Sequence, residues 1–149
     1  MFKISPAPLE SVDFKKNLHA LQAGAYSSFE GWVRDDNNGK AVVALEYEAY
    51  EALCQNEARK IFTETFEKFD ILAAGCIHRS GKLQVGEMAV WIGVTAKHRD
   101  ESFKACRYLI DEIKARLPIW KKEYYADGNS GWVACRHCAE PKLEENDKE

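Results

Sequence analysis

Two apolar runs, ILAAGCI at 71–77 and MAVWIGV at 88–94, constrain this chain more than any other feature. Neither alternates apolar with polar residues, so neither suits a strand with one wet face. Such runs read as strands in the middle of a sheet covered on both sides. The neighbouring segments supply the cover. From Glu51 to Phe69, Cys54, Ala58, Ile61, Thr65 and Phe69 recur every three or four positions, with Phe62 and Phe66 widening the stripe. From Arg99 to Leu117, Phe103, Cys106, Ile110, Ile113 and Leu117 do the same until Pro118 ends the pattern. Both segments read as amphipathic helices packed by one face.

The remaining segments are shorter. Phe2 to Ile4 reads as a strand and Leu9 to Leu18 as a brief helix. AYSSFEGWV at 25–33 places Phe29, Gly31 and Val33 on one strand face, and AVVALEYEAY at 41–50 is a further strand. Between them Asp35-Asp36-Asn37-Asn38-Gly39 is turn chemistry, so the two strands are expected to pair as a long hairpin with a flexible polar loop. Ile119–Tyr124 and Trp132–Ala134 flank the turn Asp127-Gly128-Asn129. Trp32, Trp91, Trp120 and Trp132 sit among apolar neighbours and read as core. Hairpins mixed with two main helices favour an α+β fold over a doubly wound parallel sheet.

The chain has 149 residues, enough for one sizeable core. Its net charge is −3, but the last ten residues hold five acids and two bases, leaving 19 of each sign in residues 1–139. The division expected is one domain over 1–139 and a charged tail over 140–149. An acidic balance excludes a general polyanion binder and leaves room for a small basic pocket. No apolar run approaches the roughly 20 residues that span a bilayer, and the N-terminus lacks a signal-peptide pattern, so a cytoplasmic protein is expected. Cys54, Cys76 and Cys106 stand in apolar surroundings, as reduced thiols do. Cys135-Arg136-His137-Cys138 is a lone C-x-x-C; two loose thiols, a redox pair and part of a zinc site are all open.

No P-loop, G-x-S-x-G, G-x-G-x-x-G, H-E-x-x-H or EF-hand pattern occurs. What stands out is a set of bases at element ends. Arg34 closes a strand, His98 and Arg99 open the second helix, Lys114 lies in its last turn, and Lys121 and Lys122 begin the next strand. A strand-to-helix junction bearing His and Arg suits an anion, because helix N-termini present free N–H groups. Each also has a bland reading as a solvated cation, and spacing alone says only that a small anionic ligand is possible.

Three stretches together resemble the large, catalytic subunit of molybdopterin synthase. They are GAYSSFEGWVRDDNNGKAVVALEYEAY (24–50), CIHRSGKLQVGEMAVWIGVTAKHRDESFKACRYLIDEIKARLPIWKKE (76–123) and DGNSGWV (127–133). The resemblance implies a hammerhead-type α+β fold and a homodimer that binds two copies of a small ubiquitin-like sulfur-carrier subunit, making a heterotetramer. It implies a sulfurtransferase of molybdenum cofactor biosynthesis, converting cyclic pyranopterin monophosphate to molybdopterin with sulfur from the partner's C-terminal thiocarboxylate. By matching position, Lys114 and Lys121 resemble the catalytic pair. Arg34, His98 and Arg99 resemble the binders of the pterin phosphate, with Lys122 and Glu123 lining the same pocket. Arg136 resembles a base reaching the neighbouring subunit's site.

This chemistry is consistent with the residues present. The nucleophilic sulfur arrives on the partner, so no catalytic cysteine, metal or cofactor is required. Arg and Lys suit a cyclic phosphate and a tail carboxylate. Two lysines in one pocket would repel and lose hydration, so that one could move a proton while the other stabilises charge. Two other readings stand beside it. One is a non-catalytic adaptor binding a ubiquitin-like partner, and the other is a zinc-linked module using Cys135, His137 and Cys138. Only the catalytic reading requires the bases to converge on one pocket.

Overall fold

The computed structural model describes residues 1–10 and 14–134. The predicted tail and the residues Cys135, Arg136, His137 and Cys138 lie outside the described residues. Nine strands are described, together with two helices, α1 (Glu51–Lys68) and α2 (Arg99–Arg116), and a 3-10 turn at Lys16–Leu18. The strands are β1 (Phe2–Ser5), β2 (Ala25–Trp32), β3 (Asp36–Asn37), β4 (Lys40–Ala49), β5 (Ile71–Arg79), β6 (Gly81–Gln84), β7 (Met88–Ala96), β8 (Ile119–Tyr125) and β9 (Ser130–Ala134). No helix among the described residues is long and apolar enough to cross a membrane.

The two apolar runs are the inner strands of a four-stranded sheet ordered β1-β5-β7-β2. β5 and β7 pair antiparallel with Gly75 opposite Gly93, and β1 adds in parallel on the β5 side. Both faces are covered, as the lack of alternation requires. On one face α2 lays Ala105, Cys106, Leu109 and Ile113 beside Ile92 and Val94, with α1 contributing Ala58 and Ile61. On the other, Leu18 with Leu9 and Phe14 closes over Ile77 and Trp91. A second sheet runs β3-β4-β8-β9, with β6 also pairing to β4.

The expected hairpin between 25–33 and 41–50 is not formed. β2 pairs with β7 across the first sheet, whereas β4 pairs with β8 and β6 in the second. The turn sequence is real but smaller: it closes the two-residue β3 onto β4, with Asn38 and Gly39 at φ 53° and 82°. Positive φ at both central positions matches the right-handed twist of a tight hairpin, which Asn-Gly adopts readily. Of the helix expected over Leu9–Leu18 the described residues show helical backbone at Phe14 and Lys15 running into the 3-10 turn at Lys16–Leu18. Two packing expectations also change. Phe103 is 62% exposed, and Ser102, Ala105 and Leu109 carry the buried stripe instead. Of the four tryptophans only Trp91 is core; Trp32, Trp120 and Trp132 lie on edge or outer positions of their sheets and are exposed.

α1 and α2 are clipped together by Arg116, which donates to Glu57, Glu64 and Glu112 from within one guanidinium fork. Thus the C-terminal end of α2 is held against α1, and the residues of its last turn are fixed in place.

Gly93 shows how tightly the central strands are covered. A Cβ there would lie 2.5 Å from a Trp91 ring carbon and 2.7 Å from Leu18 Cδ1. Gly93→Ala is therefore expected to cost about 1–3 kcal/mol by overpacking. Urea unfolding should show a lower midpoint; an unchanged midpoint would contradict the packing of Leu18 over this strand.

Candidate active site

Where the two sheets meet, a cavity of about 260 Å³ opens at the end of α2. β2 contributes Phe29, Gly31 and Trp32, and β7 contributes Ala89 and Val90. Leu45 and Tyr47 come from β4, Lys121 and Glu123 from β8, and Lys114 from the last turn of α2. Arg34, Asp36 and Asn37 form its rim. The β4–β8 register explains the wall: Leu45 lies opposite Glu123 and Tyr47 opposite Lys121, so all four point to one face.

Glu123 is only 2% exposed, and it stays ionised because three donors hold it. Asn37 Nδ2 donates to Oε2 at 2.6 Å, the Tyr125 hydroxyl donates to the same oxygen, and Lys121 Nζ donates to Oε1 at 3.0 Å. Burial alone would raise its pKa, but the Tyr125, Asn37 and Lys121 bonds together bring it below the usual carboxylate value. Tyr125 correspondingly is pushed up by the carboxylate it faces.

Behind Tyr47 stands His78 on β5, fully enclosed, its ring edge-on to the tyrosine at 4.9 Å between centroids. Nδ1 donates to the Arg79 carbonyl at 2.7 Å, which fixes the tautomer and leaves Nε2 without a hydrogen-bond partner. Burial, and then the nearby Lys114 charge, push His78 down to about 3. It is a neutral imidazole under the cavity wall at any physiological pH.

The structure brings Arg34, Lys114, Lys121 and Glu123 together. It does not bring Lys122 with them. Successive strand residues alternate faces, so Lys122 lies on the outer side of β8, its ammonium over the rings of Tyr124 and Trp132. His98 and Arg99 are exposed at the opposite end of α2 from Lys114. Fifteen residues of helix at about 1.5 Å each separate Arg99 from Lys114, roughly 22 Å. Within one chain these two do not reach the cavity. Arg136 lies outside the described residues.

Asn37, Tyr47 and Tyr125 were not singled out from sequence. The period-2 pattern of Lys121, Glu123 and Tyr125 was the available signal for the last; nothing local signals Asn37, whose partner is 86 positions away. Cys54, Cys76 and Cys106 are buried free thiols with pKa values pushed up by burial, Cys76 to about 12, so none is a poised nucleophile. Among the described residues no three His, Cys, Asp or Glu side chains are grouped to hold a metal ion. A larger groove of about 530 Å³ between β1 and α1 is lined mainly by Met1, Phe2, Phe62 and Phe66 and lacks the convergent charges.

His78 gives a pH dependence with a definite sign. Its folded pKa is depressed, so its contribution to stability is full above the unfolded value near 6.5 and is lost as pH falls towards 3. Stability should drop by up to about 1.4 kcal/mol per pH unit in that window. Urea titrations of the wild type and His78→Gln from pH 7 to 4 check this; equal slopes would contradict it. Glu123, held below the ordinary carboxylate value, adds a further loss as pH falls from that ordinary value towards its own.

The family model described as MoaE protein matches residues 4–116. Among curated relatives, the molybdopterin synthase catalytic subunit of Synechococcus elongatus is 43% identical over 131 residues, 87% of this chain and 78% of that protein. The Bacillus subtilis catalytic subunit is 40% identical over 132 residues, 89% of this chain and 83% of its own length. Molybdopterin synthase from Staphylococcus aureus superposes with a TM-score of 0.83 at 34% identity, covering 89% of this chain and 96% of that one. At 20% identity and a TM-score of 0.73, covering 94% and 93%, a chain from the complex of subunits 1 and 2 of the Helicobacter pylori molybdopterin-converting factor shares the fold. With a family model matched over residues 4–116 and catalytic subunits at 40–43% identity over most of both chains, the chain belongs to the MoaE family of molybdopterin synthase catalytic subunits.

Proposed function

We propose that the cavity is where sulfur passes from the C-terminal thiocarboxylate of a small ubiquitin-like partner to cyclic pyranopterin monophosphate, giving the dithiolene of molybdopterin. The observation that carries this reading is the meeting of Arg34, Lys114, Lys121 and an ionised Glu123 in one cavity, in a chain of this family. A non-catalytic adaptor needs no such convergence.

The chemistry follows from the charges. The thiocarboxylate sulfur brings its own electron pair to a carbon of the pterin side chain and displaces the oxygen bonded there, which leaves as water or on the opened cyclic phosphate; two thiocarboxylates, spent in turn, supply the two sulfurs. Water then cleaves the acyl–sulfur bond and leaves a carboxylate on the partner. Lys121, ion-paired to Glu123 and 13% exposed, presents an oriented ammonium to developing negative charge. Lys114, on the other wall, is its partner for charge or proton transfer. Arg34 at the rim suits the cyclic phosphate through its planar fork. Phe29, Trp32 and Val90 form an apolar wall suited to a glycine tail that has no side chains of its own.

His98 and Arg99, some 22 Å along the helix from Lys114, would join this site only from a second copy of the chain. The proposed assembly is therefore a homodimer core with two small subunits, in which phosphate binding is shared between copies, Arg136 reaching across as well. A cytoplasmic location belongs to the same reading, as does the single domain over 1–139 with its charged tail.

The decisive experiment mixes the chain with thiocarboxylated small subunit and cyclic pterin and assays molybdopterin. Lys114→Ala and Lys121→Ala should each lower product formation by at least about 100-fold, the scale of losing one oriented charge in a dry site. Partner binding, read by gel filtration, should persist. Near-normal turnover by either variant would remove it from the mechanism.

A further inference from the structure

Glu123 joins two parts of the cavity that lie far apart along the chain. Lys121 and Tyr125 reach it from its own strand, two residues to either side. Asn37 reaches it from β3, on the segment that also carries Arg34. Both ends of that segment are pinned by backbone bonds. Val33 donates to Glu87 O at 2.9 Å and accepts from Gly86 N at 2.8 Å, and Val42 donates to Asp35 O at 2.8 Å. The tight Asn38-Gly39 turn allows Asn37 little freedom. Arg34 and Asn37 thus stand three residues apart on one short, tethered strap, one at the cavity mouth and the other bonded to the carboxylate that holds Lys121.

We infer that Asn37 is a positioning residue for sulfur transfer: its amide locks Glu123, and through Glu123 the Lys121 ammonium, in register with the strap that carries Arg34. The inference rests on the function proposed above. Its physical basis is the division of the two carboxylate oxygens. Oε2 is occupied by Asn37 and Tyr125, which leaves Oε1 directed at Lys121. Tyr125 shares the strand with Glu123 and moves with it, so among the described residues Asn37 is the donor that references the carboxylate to a different element. In a site this enclosed, a lost donor is poorly replaced by water and the remaining bonds rearrange.

Asn37→Ala removes the donor. A displacement of Lys121 of about 1 Å is enough to cost up to roughly 100-fold in rate. The expected signature is a kcat lowered by about 10- to 100-fold with the KM for cyclic pterin nearly unchanged, because Arg34 and its backbone pins remain. Asn37→Asp places a second carboxylate against Glu123, and two like charges at this distance share a proton. The acid limb of the rate profile should then move to higher pH. The groups facing Glu123 that enter this profile are Lys121 and Tyr125 from β8, Asp36 from β3, Tyr47 from β4, Lys114 from α2 and Arg34 on the strap.

The test measures kcat, KM and pH profile of both variants with thiocarboxylated partner and pterin. It is paired with a carbon-13 NMR titration of the Glu123 carboxyl in the full chain without substrate. A raised Glu123 pKa in Asn37→Ala together with a kcat-selective loss supports the inference. An unchanged kcat, or a loss carried wholly by KM, overturns it, as does an unchanged Glu123 titration in either variant. Absence of product from the wild type with fresh components would instead reject the proposed function, while the titration still reads the tether.

Discussion

The antiparallel pairing of β5 with β7 is the constraint on which the rest of this structure depends. Two strands without a wet face must be buried on both sides, and that single demand recruits both helices to one face and the N-terminal segment to the other. The glycines at the centre of the pair, Gly75 opposite Gly93, allow Trp91 and Leu18 to close down on the sheet. Once the helices are docked, Arg116 ties the end of α2 to α1 through Glu57 and Glu64, with Glu112 of its own helix steadying the guanidinium. Lys114, two residues earlier, therefore projects from a fixed helix end into the space between the sheets.

That space becomes a site because the second sheet faces it with alternating residues. On β8 one face carries Lys121, Glu123 and Tyr125, while Lys122 and Tyr124 turn to the other side. A charged cluster inside a protein persists only when its members are mutually bonded. Here Glu123 meets that condition with three donors, and His78 meets its own by remaining neutral behind Tyr47. The cavity is thus polar where bonds are made and apolar along Phe29, Trp32 and Val90, which suits a reaction whose nucleophile is brought in by a partner.

The helices and inner strands were legible from periodicity because helix spacing and full burial are local signals. So were Arg34, Lys114 and Lys121, through their place at element ends and through the family resemblance. One expected strand pairing failed, and two groups of bases separate within a single chain, for one shared reason: chain proximity is not spatial proximity. Segments 25–33 and 41–50 are neighbours in sequence and joined by good turn chemistry, yet β2 satisfies its edge on β7 and β4 on β8. Lys121 and Lys122 are adjacent but face opposite sides of a strand. His98 and Lys114 share a helix and stand at opposite ends of it. Asn37 was invisible for the converse reason: its partner is remote along the chain and adjacent in space.

Periodicity and composition alone settle that this is an α+β chain with doubly covered strands, two amphipathic helices and buried thiols, since each follows from contacts a residue makes within its own turn or strand. Motif order alone settles the family. Which charges meet, which oxygen of Glu123 each donor takes, and which bases stay outside the cavity were decided only by tertiary structure. Those outcomes depend on strand register, side-chain facing and helix length, and each sums contributions from segments dozens of residues apart.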